Sequence, residues 1–342
     1  MPFKDTEEFK QCKPCDAVLA YSFVVPIYND GYLAEAFCHE FLTVFQQHFG
    51  TQTIQDTVEL LFIDDGSSDD SLAILRRIAE KHPFVKVMAL SRNFGQHVAL
   101  LCGYHNAKGA YVGRLNADMQ DPPSEIPKLI REFQRQDVDM VVGIQEKRYS
   151  KKSDTITARL FFWAFNLLIG GQIPQNTASL RLMNRRYVDA LKSMNDKFPF
   201  LQGLEAWIGL RVSYTPTRHQ ERKDSKSSYT FFRRLKLAIN AAISFSDRPL
   251  KGTVYLGMIL ALIGGVGLLA VIAAKLVSSN VVPGYTSLAV IILFCSGIQI
   301  FVTGLSGIYI GKILTHVQQR PLYLVRECIH YPISKSLDSS PT

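Results

Sequence analysis

Two uncharged apolar runs near the carboxyl end constrain this chain more than any other feature. Residues 252–274, "GTVYLGMILALIGGVGLLAVIAA", are 23 residues without a charge, and residues 285–311, "YTSLAVIILFCSGIQIFVTGLSGIYIG", are 27. At about 1.5 Å of rise per helical residue, each exceeds the roughly 30 Å hydrocarbon core of a bilayer. Soluble core helices rarely run this long with no charge, so the sequence predicts two transmembrane helices within 251–312 rather than two buried ones. Arg233, Arg234, Lys236, Arg248 and Lys251 precede the first run, Lys312, Arg320 and Arg326 follow the second, and the connecting "SSNVVPG" carries no charge. That bias places both ends of the hairpin in the cytoplasm. Lys275, at the outer end of the first run, can snorkel to the interface. In the second run Gly297, Gly304 and Gly311 recur every seven residues, and Gly307 makes a Gly-x-x-x-Gly with Gly311. Such a stripe serves either packing of the protein's own two helices or a homo-oligomer.

The first twenty residues, "MPFKDTEEFKQCKPCDAVLA", are polar and have no signal-peptide apolar region. Residues 1–20 therefore read as a tail, 21–226 as a cytoplasmic domain, and 313–342 as a cytoplasmic tail, in a multi-pass protein of the inner (plasma) membrane. The six cysteines are expected to be reduced there. Cys12 and Cys15 have redox-pair spacing but precede the first strand, which makes an incidental pair the better reading. A net charge of +8 suits work beside anionic headgroups and on anionic partners. The basic residues cluster beside the apolar runs, so no nucleic-acid partner is expected.

Between 21 and 143, β-branched apolar runs alternate with helical patterns. "YSFVVPI", "VELLFID", "VKVMALS", "AYVGRL" and "VDMVVG" read as strands, and the segments between them as helices. That order predicts an α/β fold with a mostly parallel sheet covered on both faces. Residues 144–227 are charged and loop-rich. Within them "ARLFFWAFNLLIGG" is too short to span a membrane and suits equally a core helix or one lying on the membrane surface. Residues 227–250, which open with "SSYTFFRRLKLAINAAISFS", mix basic and apolar residues as an interfacial amphipathic helix does. The final "SKSLDSSPT" reads as disordered.

Chemistry-bearing residues gather at expected strand ends. The first strand ends in "VVPIYND" with no Gly-x-Gly-x-x-Gly, which argues against a dinucleotide fold of the dehydrogenase type. The second ends in "FIDDGSSDDS", where Asp64 and Asp65 are placed to hydrogen-bond a base or ribose, and Asp69 reads as a helix cap. The fourth leads into "LNADMQDPP". Two carboxylates one residue apart at a strand end would hold Mg²⁺ or Mn²⁺ against a diphosphate, because hard cations take oxygen ligands. Here the first of the two positions is Asn116, which leaves Asp118, Gln120 and Asp121.

In this order "VVPIYND", "FIDDGSSDDS", "SRNFGQHVALLCGY", "NADMQDPPSEI", "ERKDSKSSYT", the two apolar runs and "RPLYLVRE" resemble family 2 glycosyltransferases that charge a polyprenyl phosphate. Bactoprenol-phosphate glycosyltransferases and dolichyl-phosphate mannose synthase belong to that group. The resemblance spans about residues 20–327. It implies a GT-A nucleotide-sugar transferase fold with a C-terminal two-helix transmembrane hairpin, a nucleotide-sugar donor, a divalent metal, and inverting transfer to a lipid phosphate. By the same resemblance Pro26, Tyr28 and Asp65, with Asp64 and Asn93, would bind the nucleotide sugar, and Asn116, Asp118 and Gln120 fall on the metal-binding stretch. Arg181 in "NTASLRLMNRR" and Arg222 with Ser227 match its phosphate-handling segments. Asn116 and Ser179 stand where relatives carry Asp, and Ser225 where glycine is frequent.

Such a transfer builds negative charge on the departing diphosphate, which a metal and arginines offset. The acceptor phosphate oxygen is already anionic and needs no strong base. Arg181, Arg222 and Lys226 are the cations expected to hold it, with Asp118 and Asp121 as the site's carboxylates. His97 reads as a helix-surface residue or an active-site neighbour. The sequence thus points to a membrane-anchored enzyme moving a sugar, from UDP more readily than GDP, to undecaprenyl phosphate for envelope glycosylation. The alternative is a degenerate nucleotide-binding membrane protein that scaffolds an active partner. A processive synthase is disfavoured by two spans and the lack of Gln-x-x-Arg-Trp.

Overall fold

The computed structural model describes residues 19–49, 54–145, 177–219 except 195 and 198, scattered positions from 250 to 266, and 284–330. Its strands are β1 (Tyr21–Ile27), β2 (Val58–Asp64), β3 (Val85–Leu90), β4 (Tyr111–Arg114), β5 (Met140–Gln145), β6 (Thr177–Asn184), β7 (Val212–Thr217) and β8 (Val325–Ile329). The helices are α1 (Ala34–Phe49), the single turn α2 (Ile54–Thr57), α3 (Ser71–Lys81), α4 (Gln96–Asn106), α5 (Ile126–Arg135), α6 (Arg185–Ser193), α7 (Leu201–Ile208) and α8 (Tyr285–Val317). The chain forms two compact units. One comprises Met1–Thr157, Gln172–Ser227 and Pro321–Thr342, the other Ala158–Gly171 and Ser228–Arg320.

The first unit is built on one eight-stranded sheet in the order β7-β5-β6-β4-β1-β2-β3-β8. Its centre, β4-β1-β2-β3, is parallel, and β7 runs parallel to β5. β6 runs antiparallel to both β4 and β5, and β8 antiparallel to β3. Every residue of β2 is buried, as a strand covered on both faces requires. On one face Phe37, Phe41 and Phe45 of α1 repeat at helical i, i+4 spacing, and Phe41 and Phe45 meet Phe23 edge-on with ring centroids 5.3 and 5.5 Å away. α3 and α5 extend that core. The other face is covered by α4, with α6 packed beside it.

The expected strands and helices of 21–143 are present, so the α/β fold with its mostly parallel sheet is as the sequence predicts. Two segments do more than expected. Residues 144–227, read as loop-rich, supply β6, which sits inside the sheet, and the edge strand β7. Residues 313–342, expected as a tail, carry α8 on to Val317 and then return as β8, which covers the open edge of β3.

In the second unit α8 has 33 residues, about 50 Å of helix. Cys295–Val317 within it is the one stretch among the described residues long and apolar enough to cross a membrane, with mean hydropathy 1.4. The expected first span, 252–274, lies mostly outside the described residues, as do the amphipathic segment 227–249 and "ARLFFWAFNLLIGG". A side chain placed at Gly297, Gly304, Gly307 or Gly311 would meet nothing among the described residues.

Candidate functional site

The carboxyl ends of β1, β2, β3 and β4 converge, so the loops that follow them form one rim, as open α/β sheets arrange their ligand sites. Two of these loops are tied together. Asn29, in the left-handed region at φ 55, accepts the Ser68 amide at 2.9 Å, and its own amide donates to Ser67 Oγ at 3.0 Å. Asp65 ties in a third. Its carboxylate accepts the Phe94 amide at 2.8 Å and the Gly95 amide at 2.9 Å, so both oxygens fix the β3–α4 loop. Gly66, at φ 67, lies so close to that loop that a Cβ would stand 2.3 Å from the Arg92 carbonyl carbon. Only glycine fits there.

Asp64 is fully buried. One oxygen accepts the Ser67 amide at 3.2 Å, and Oδ2 has no hydrogen-bond partner. Burial pushes its carboxyl above the ordinary value, against smaller opposing pulls from the Ser67 hydroxyl, the Ser67 amide and then Arg326. Burial likewise raises Asp65, against the two amides it accepts. Tyr28 is exposed at the rim beside half-buried Pro26, and Asn93 is exposed in the β3–α4 loop. These residues therefore share one rim, with Asp65 holding its shape.

The stretch after β4 alternates across the sheet. Leu115 and Ala117 join the α1–α5 core, which leaves Arg114 and Asn116 on the opposite face. β6 matches them, because Leu180 and Leu182 face the core and leave Ser179 and Arg181 beside that second set. The two positions where the resemblance expects Asp meet here: Asn116 Nδ2 donates to Ser179 Oγ at 2.8 Å, and Asn116 Oδ1 accepts from Gln96 Nε2 at 3.1 Å. Asp121 bridges two segments, with one oxygen accepting the Ser179 amide at 2.6 Å and the other 3.1 Å from His219 Nδ1. Asp118 accepts the Gln120 amide at 3.2 Å in a turn that puts Met119 at φ 58. A left-handed methionine marks local strain of the kind found at ligand sites.

Arg181 lies beneath this corner rather than in it. It is buried, donates from Nε to Glu205 Oε2 at 2.8 Å, and turns Nη1 back to the carbonyls of Ala178 at 2.8 Å and Ser179 at 3.3 Å. Its head group is thus held by protein groups and supports the strand that carries Ser179. His97 is also inside rather than on a helix surface, edge-on to Phe200 at 5.7 Å. Burial, then Arg114 and Arg181, push it down to about 4, so it is neutral at pH 7. Arg222, Lys226 and Ser227 lie outside the described residues.

Arg114, Gln96, Glu205 and His219 escaped the sequence reading. Arg114 was legible as a charge inside an apolar strand, whereas Glu205 and His219 reach the site only through the β5–β6–β7 half of the sheet. Among the described residues no group of three or more His, Cys, Asp or Glu side chains could hold a metal ion. The donors present are the Asp118 carboxylate and the side-chain oxygens of Asn116 and Gln120. They suit a hard cation chemically but offer one charge, so diphosphate oxygens would have to complete the set.

Residues 22–192 match glycosyl transferase family 2. The chain belongs to that family, and it is a glycosyltransferase. It is 33% identical to the uncharacterized glycosyltransferase YkcC of Bacillus subtilis (strain 168), over 90% of this chain and 94% of that protein. It is 32% identical to the bactoprenol glucosyl transferase of Shigella phage SfII, over 90% of this chain and 97% of that one. Among solved structures it is similar to the mannosyltransferase PcManGT of Pyrobaculum calidifontis in complex with GDP-Man and Mn²⁺, with TM-score 0.46, 16% identity, and 88% of each chain covered. In this glycosyltransferase the rim of the parallel strands and the Asn116–Asp121 corner together make the candidate active site.

Proposed function

We propose that this glycosyltransferase is anchored in the inner membrane by two helices and transfers a sugar, with inversion, from a UDP-sugar to undecaprenyl phosphate for envelope glycosylation. The observation that carries the reading is the match of a bactoprenol glucosyl transferase to 90% of this chain, across the strand-end site and the apolar helix alike. The catalytic domain and both termini face the cytoplasm, where nucleotide sugars are made. Tyr28, Pro26 and Asn93 line the nucleotide rim that Asp64 and Asp65 support. Arg222, Lys226 and Ser227 hold the acceptor phosphate, and guanidinium geometry suits that task. Asp118, Asn116 and Gln120 would hold Mg²⁺ or Mn²⁺, which when bound offsets charge on the departing diphosphate. Asp121 ties the Ser179 strand to His219 after β7.

The test is transfer by the purified protein in detergent, from a panel of labelled UDP-sugars to undecaprenyl phosphate, with Asp118→Ala as control. A lipid-extractable sugar product that the control loses by 100-fold or more is the expected result. The Asn116–Ser179 hydrogen bond favours a second reading, a nucleotide-binding protein that has lost transfer and anchors a partner. UDP binding with no product from any donor in the panel would select it.

A further inference from the structure

Arg114 and Arg181 stand directly opposite each other across the β4–β6 pair. Both are buried, at 4% and 2% exposure. Like charges in that position repel, and the charged side chain set between them is Glu205, 2.8 Å from Arg181 Nε and 3.6 Å from Arg114 Nη1. One carboxylate therefore serves two guanidinium groups. Arg181 takes the hydrogen bond, while Nε and Nη1 of Arg114 have no hydrogen-bond partner among the described residues and Nη1 keeps only the longer ion pair. The aromatic and imidazole groups around them do not change the balance. Tyr104 is buried and its hydroxyl pushed up to about 12, and His97 is pushed down to about 4, so both are neutral at pH 7. A surplus buried cation is costly unless an anion answers it.

The surplus lies next to the site. Arg114 and Asn116 are alternate residues on one face, about 7 Å apart along the strand, and Arg181 reaches back to the Ser179 carbonyl. At the two positions above these arginines the chain has no carboxylate, and Asn116 and Ser179 bond to each other instead. The absence of a carboxylate at Asn116 and Ser179 and the surplus cation beneath them act in the same direction. Both lower the local negative charge that a divalent ion would otherwise have to neutralise before a diphosphate could bind. We propose that the Arg114–Arg181–Glu205 cluster is a fixed cationic floor that offsets the Asp118–Asp121 carboxylates, so that this site takes a nucleoside diphosphate with weak dependence on a divalent cation. Arg114 is then a positioning charge, acting through space. The inference rests on the reading of this corner as the nucleotide-diphosphate site.

Calorimetric titration of the full-length protein in detergent with UDP and GDP, in EDTA and in Mn²⁺, tests it. For the native chain the inference expects EDTA to weaken binding of the preferred nucleotide by less than about tenfold. Arg114→Met leaves a balanced Arg181–Glu205 pair, so melting temperature should hold or rise. Its affinity in EDTA should fall about tenfold, the scale of one charge at this range, and fall less in Mn²⁺. Asn116→Asp, a half-buried change at the rim, should also weaken binding in EDTA and widen the Mn²⁺ stimulation, and it serves if Arg114→Met does not fold. Binding that requires Mn²⁺ in the native chain, or affinities in EDTA that neither variant changes, would overturn the cationic floor and leave the nucleotide reading standing. Failure of UDP and GDP to bind in both conditions would overturn the two together.

Discussion

Asp64 and the Asn116–Ser179 pair show how single residues divide stability from function here. Asp64 has a carboxyl oxygen with no partner in the β2 end, at 0% exposure. Its folded-state value lies above the ordinary 3.8, so its contribution to stability is full below that value and is lost as pH rises through the raised one. Asp64→Asn can still accept the Ser67 amide and has no charge to lose. The variant should therefore match the native chain near pH 4 and exceed it at pH 7 by on the order of 1 kcal/mol, the scale of a buried acceptor left unpaired. Urea unfolding across that pH range measures the gap, and a gap that narrows toward pH 7 would refute the assignment. A carboxylate kept at such a cost fits a group retained for a ligand. The placement of "FIDDGSSDDS" and "LNADMQDPP" at the ends of β2 and β4 was legible in the sequence, because each follows a short apolar run. That Asp65 spends both oxygens on the β3–α4 loop was not legible, since its partners are backbone amides 29 and 30 residues away. The burial of Arg181 was hidden for a similar reason: a motif gives residue type, whereas burial depends on which strand lies opposite and which helix lies above.

At the scale of elements, the central strands were plain because a parallel strand covered on both faces must be nearly all apolar. β6, β7 and β8 were hidden. β6 alternates Leu180 and Leu182 with Ser179 and Arg181, and a polar face on a strand inside the sheet has no signature until its partners are known. β8 lies beyond the apolar runs, where a tail was expected. Yet it pairs with β3 from Val87 to Leu90, and Leu324 accepts the Ser91 amide at 2.8 Å, at the start of the β3–α4 loop. Its Glu327–Arg76 ion pair is half-exposed and adds little. The covering of an open edge is the larger effect. Deleting 321–342 should leave β3 unpaired and make the protein aggregate on detergent extraction. A chain in which 251–317 is replaced by a flexible linker, keeping β8, should stay monodisperse. Size-exclusion chromatography distinguishes the two, and equal behaviour would show that β8 does not protect that edge.

For the whole molecule, the order of segments matters as much as their content. The unit that holds the site is completed only after the chain has passed through the apolar helix, because Pro321–Thr342 belongs with the sheet. The domain therefore cannot finish folding before residue 325 has been made. The proposed topology, with both ends of the hairpin in the cytoplasm, rests on the flanking charges. A cysteine introduced at Ser279, in a background without the native cysteines, should react with an impermeant maleimide added outside intact cells, and one at Lys236 only after permeabilisation. The reverse pattern would invert the hairpin.

The sequence by itself determined the elements from 21 to 143, the polar segments at the strand ends, and the apolar length at the carboxyl end. Each is a local property of spacing and composition, readable one stretch at a time. The tertiary structure alone decided that Asn116 meets Ser179, that Asp121 reaches His219, and that one glutamate stands between two buried arginines. Those contacts join residues 24 to 98 positions apart, and their charges combine only once β6 has been inserted beside β4. Electrostatics at a site is a sum over neighbours in space, and neighbours in space are what the fold supplies.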